Sequence, residues 1–93
     1  MPGAELIEAG IEDLRRSVES VPALLVSIGA PRLRSLGLPI PDATVLHPEM
    51  RLYELLRRES GDEAHSRYNA WIRRLVSFER AAEWARSAGT YVK

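Results

Sequence analysis

Residue types that commonly do chemistry are thinly spread in this 93-residue chain. It holds two histidines, His47 and His65, and no cysteine. Disulfides, thiolate metal sites and thiol catalysis are therefore excluded. Asp62-Glu63-Ala64-His65 spells the DEAH string of nucleic-acid helicases. That string works only beside a phosphate-binding Gly-Lys-Ser/Thr loop in a parallel sheet. The chain has no such loop, and an acid-rich helix start explains the four letters. Asp62 and His65, three apart, could share a metal on one helix face. A carboxylate-type site needs further ligands from facing helices, with a second Glu-x-x-His as its usual mark. His47, Glu54 and Glu59 are available, but that second motif is missing. A nucleophilic triad would need a strained Gly-x-Ser-x-Gly elbow, and none occurs. No catalytic residue, cofactor ligand or metal ligand is expected, and the chain is read as a non-enzyme.

The arginines are the next chemical resource. Twelve of the thirteen basic residues are Arg, with pairs at 15–16, 57–58 and 73–74. Thirteen acids cancel them, leaving a net charge of zero. A nucleic-acid binder usually carries a clear basic excess. The balance is local rather than uniform. Residues 1–20 carry five acids against two Arg, a net −3. Residues 62–93 carry four acids against six bases, a net +2. A helix-turn-helix reading fails at Gly61, because Arg57 and Arg67 stand where a small and an apolar residue are needed.

These side chains must be positioned by helices. Ile7, Ile11, Leu14, Val18, Val21, Leu25 and Ile28 are spaced 4-3-4-3-4-3, the seam of a helix packed along another. A helix over about 4–28 is expected. Pro22 either kinks it or ends it near Glu19, with Ser20 then capping a second helix. Gly29 offers a C-cap and Pro31 blocks continuation. Residues 29–47 hold Pro31, Gly37, Pro39 and Pro41 among six large aliphatics, too apolar for a free linker. They are expected as a loop packed across the open side of the core, or else awaiting a partner.

His47-Pro48-Glu49 opens a helix over 48–59. Gly61 ends it with positive φ, and Ser60 with Glu63 has capping-box spacing for the next helix. That last helix runs over 62–88 and is closed by Gly89. Tyr68, Trp71, Leu75, Phe78, Ala82 and Ala85 form its apolar stripe, widened by Ile72. The fold class is all-α: a small bundle of three or four helices in one domain over residues 1–93. It has a C-terminal αα-hairpin and an apolar, Pro-rich connecting loop. The first and last helices are expected to be its main pair.

Trp84 and Val76 fall off the seam of the last helix, at positions that normally face water. An exposed Trp asks for a cover, either the 29–47 loop or another chain. The expected function is a non-catalytic helical interaction module: a small adaptor, assembly or regulatory subunit that oligomerises or docks on a larger protein. Its contact residues are Trp84, Val76, Ile72, Arg73 and Arg80. The competing reading is a nucleic-acid-binding regulator using the arginines of the last helix, which the balanced charge disfavours. No apolar stretch is long enough to span a bilayer. The first ten residues carry no basic cluster, so no secretory signal is expected. A cytoplasmic setting is the reading.

Overall fold

A computed structural model describes residues 3–92 of the chain, with side chains as far as Ser87. The described elements are α1 (Ala4–Arg15), α2 (Val21–Ser35), α3 (Pro48–Ser60), a 3-10 turn (Gly61–Glu63) and α4 (Ala64–Val92). No strand occurs among the described residues.

Of the two readings at Pro22, the broken one holds: α1 ends at Arg15, somewhat before Glu19, and a second helix starts after Ser20. Ser20 accepts a hydrogen bond from the Ala23 amide at 3.2 Å and donates to Asp13 at 2.6 Å, so it caps α2 while tying it to α1. Pro22 sits in the first turn, where its missing N–H is not needed. The apolar seam does not run through. Val18 lies in the connection and is 47% exposed. Glu19 does not pair with Arg15; it turns to Arg51 of α3 at 2.7 Å.

α2 corrects a second expectation. It passes Gly29 and Pro31 and ends at Ser35. A proline inside a helix forfeits the hydrogen bond to the carbonyl four residues back. Here Ala30 and Leu33, on either side of it, are buried, and their burial offsets the loss. The C-cap work falls to Gly37, at φ +92. Leu38 N donates to Leu33 O at 3.1 Å, the six-to-one bond of a Schellman end. Only a residue without Cβ adopts that φ cheaply.

The connecting loop therefore spans 36–47. Ile40 is buried, and Leu38 and Val45 pack against the core. Val45 N donates to Ser27 Oγ at 3.1 Å, and an Arg34 guanidinium N–H donates to Pro41 O at 2.7 Å. Those bonds fasten the loop to α2. Leu46, at its far end, stays 80% exposed.

α2 is the centre of the bundle. Ala23 to Ser27, Gly29, Ala30 and Leu33 are all buried. α1, α3 and α4 each pack on it. The expected pairing of first and last helices is thus replaced by α1 against α2, while α3 packs against α4 as the expected hairpin requires. Tyr53 and Tyr68 meet edge to face across the α3–α4 contact, their centroids 5.9 Å apart.

The α3–α4 turn departs from the capping-box expectation. Ser60 makes no side-chain cap, and a 3-10 turn bridges the two helices instead. Gly61 does end α3 with positive φ, at +55. Gly89 does not close α4, which continues to Val92. A helical glycine costs about 1 kcal/mol against alanine but does not by itself stop a helix.

Gly10 sets the tightest contact. A Cβ there would collide with the Pro22 carbonyl oxygen and crowd Val26 Cγ2 at 2.5 Å. Gly10→Ala is expected to force α1 away from α2 and destabilise by about 1–3 kcal/mol. Gly61→Ala meets no atom within 4 Å, so its cost is conformational alone, about 1 kcal/mol or more. Urea unfolding of the two variants tests the pair. A neutral Gly10→Ala would mean that the helices do not approach as described.

Candidate functional site on the last helix

α4 has 29 residues and a length of about 44 Å by the helical rise. No other helix exceeds 15 residues. The bundle therefore covers only one side of α4, over part of its length. Ala64, Leu75 and Phe78 are buried there, with Tyr68, Trp71, Ile72 and Ala82 packed against the core. Ala85, expected to continue the stripe, is exposed, as are all residues from Glu83 to Ser87.

The α2–α4 contact is partly ionic. Arg32 pairs with Glu83, and Arg86 donates to the Ser35 carbonyl. A cation there suits the C-terminal end of α2, where carbonyls lack helical partners. Beneath them lies Glu79, only 8% exposed. Its neighbour across the contact is Gly29, whose missing side chain leaves room for the carboxylate. Burial pushes the Glu79 carboxyl above its usual range, and the Arg32 guanidinium pulls the other way. Nothing in the charge count marked Glu79 as buried. The available signal was its position four residues after Leu75 and three before Ala82, on the flank of the apolar stripe.

The outward side of α4 carries the sequence-derived contact residues. Arg73, Arg80 and Trp84 are exposed, Trp84 by 74%. Ile72 and Val76 are half-buried at the edge of the packed face. The row Ile72, Val76, Arg80, Trp84 winds from that edge outward at four-residue steps. The connecting loop does not cover Trp84, which is 74% exposed; its Leu38, Ile40 and Val45 pack on the core instead.

A second, outward stripe escaped the sequence reading. Ser66, Ala70, Arg73, Ser77, Arg80, Trp84 and Ser87 follow 4-3-4-3-4-3 spacing, and every one is exposed. Its signal was a heptad pattern of small, basic and aromatic residues, hidden by a search for apolar ones alone. Beside it opens a cleft of about 560 Å³. Gly3 to Leu6 of the α1 start form one wall and Arg73, Arg74 and Ser77 the other. Arg74 lies 4.7 Å over the Trp71 ring, a cation–π contact that holds its guanidinium at the rim.

His47 and His65 both lie exposed at helix starts. Among the described residues, no group of three His, Asp or Glu side chains stands close enough to hold a metal ion. No helix among them is long and apolar enough to cross a membrane.

The raised Glu79 carboxyl makes stability depend on pH in a definite sense. The folded chain holds its proton to higher pH than the unfolded one does. The associated stability is full below the ordinary Glu range and is lost as pH rises through the raised value. Glu79→Gln is expected to melt at or above the wild-type temperature at neutral pH. That advantage should shrink when both are melted in acid. A pH-independent difference would remove Glu79 from the account.

No family model, no curated protein and no solved structure matches this chain.

Proposed function

We propose that the protein is a non-catalytic helical interaction module, a small adaptor, assembly or regulatory subunit. It works by self-association or by docking on a larger protein through the outward face of α4. The observation that carries this reading is Trp84, 74% exposed on the part of α4 that the bundle does not cover. Trp is the commonest anchor of interface hot spots, because one ring removes a large apolar area from water. Arg73 and Arg80 flank it on the same face, and Arg is the other residue type enriched there. The half-buried Ile72 and Val76 extend the apolar surface at its edge. A cytoplasmic setting belongs to the reading, supported by a chain without cysteine.

The competing reading uses the same exposed arginines as phosphate contacts. It is weakened by Glu83 on α4 and by Glu5 in the wall of the adjoining cleft. At physiological salt the protein is expected to show no useful affinity for duplex DNA. Sub-micromolar binding with a steep salt slope would favour the nucleic-acid reading instead.

Trp84→Glu tests the main proposal. Far-UV circular dichroism should stay at its wild-type value, since the side chain supports no core, while any melting-temperature change should be confined to concentrations at which the wild type associates. Association, measured by sedimentation equilibrium, should weaken by about 2 kcal/mol or more. A folded variant with unchanged association would discard Trp84 as a contact.

A further inference from the structure

We infer that the occupant of this face is a second copy of the chain, held by a reciprocal contact between the acidic outer side of α1 and the basic outer stripe of α4. The inference rests on the interaction-module reading and names its partner.

Charge complementarity carries it. Glu5, Glu8 and Glu12 line the exposed side of α1 at a 3-4 spacing. Glu5 and Glu12 are seven residues apart, about 10.5 Å along the helix. Arg73 and Arg80 are also seven apart and exposed on α4. The outer residues of the two rows share this step with opposite sign, and Glu8 adds a further acid between Glu5 and Glu12. Among the described residues, Glu5, Glu8 and Arg80 enter no ion pair within their own chain. Glu12 is engaged locally by Arg15 and Arg16.

Placement supplies the symmetry. A two-fold contact joins a patch to its own rotated image, so the patch must carry both halves of the match on one side of the molecule. Glu5 and Arg73 face the same cleft, one from each wall. A patch with an acidic edge and a basic edge side by side is complementary to itself. It is a poor match for nucleic acid, whose phosphates would be repelled by the acidic edge. Ser77 between the arginines, with Ser66 and Ala70 before them, keeps the stripe low, so a helix can approach it. The Trp84 ring, one turn beyond Arg80, gives the face its apolar anchor.

The test is a charge-swap experiment on the full chain. The wild type should dimerise, and raising salt from about 0.05 M to about 0.5 M should weaken the dimer several-fold. Glu5→Arg with Glu8→Arg makes both edges basic. Arg73→Glu with Arg80→Glu makes both edges acidic. Each double variant alone should weaken its dimer by about tenfold or more, with circular dichroism unchanged. An equimolar mixture of the two should dimerise again, because each basic edge then meets an acidic one. Restoration by mixing cannot come from a variant that fails to fold. A wild type that stays monomeric at several hundred micromolar overturns the inference, while leaving the Trp84 face open to a different protein. A dimer lost with Trp84→Glu but indifferent to the swaps keeps the interaction-module reading and overturns this one.

Discussion

The burial of α2 over residues 23–30 is the constraint on which the remaining structure depends. With Ala23 to Ser27, Gly29 and Ala30 buried and Ile28 half-buried, this stretch of the helix has no face to give to water, and only its last turns, with Arg32 and Arg34, reach solvent. Such a helix is stable only when its neighbours enclose it. α1 closes one side, and it comes close enough only because Gly10 has no side chain to strike Pro22. α3 closes another through Leu52 and Leu56. The 36–47 loop closes the remainder with Ile40, held by bonds from Val45 to Ser27 and from Arg34 to Pro41. α4 then has only the last opening to fill. It is far longer than that opening requires, so its outer side and later turns are left to solvent.

This division explains why the ions sit where they do. The α2–α4 contact is sealed by a ring of charge at its rim, Arg32 with Glu83 and Arg86 on the Ser35 carbonyl. These groups are half exposed, and pairs of that kind contribute little to stability. Their effect is on register: each bond demands one placement of α4 along α2. Glu79 is the cost of the arrangement, a carboxylate drawn into the contact and tolerated because Gly29 leaves it space.

The parts of the fold legible in the sequence were those set by short-range chemistry. Ser20 before Val21-Pro22 reads as a cap and acts as one. Gly61 between two amphipathic runs reads as a helix end and has the positive φ that an end requires. The Tyr68, Trp71, Leu75, Phe78, Ala82 stripe reads as a packed face and is one. What failed were local stop signals and a period read across a turn. Pro31 and Gly89 are local stop signals, yet tertiary burial carries α2 past the first, and α4 runs through the second. The even seam from Ile7 to Ile28 is two helices whose periods happen to agree across a turn. For the candidate site, Trp84 and Val76 were read as off-seam residues; Trp84 is exposed, while Val76 is half-buried at the edge of the packed face. The cleft beside Arg73 was not legible, because it needs the start of α1, some seventy residues earlier in the chain, to arrive at α4.

Charge neutrality over the whole chain conceals the feature that matters for association. Electrostatic attraction between proteins depends on where charges lie, not on their sum. A uniformly mixed surface of zero net charge gives no orientation to an encounter. Here the acids collect on α1 and the bases on α4, and the fold sets the two edges side by side at one cleft. That arrangement makes the surface a dipole in the plane of contact. Two identical planar dipoles attract when one is turned by half a rotation, and repel when they are superposed without it. In the self-association proposed above, the pair would close because each copy carries both halves of the match on one patch. In that pairing the Trp84 ring, the large apolar side chain left exposed among the described side chains of α4, would be brought under cover.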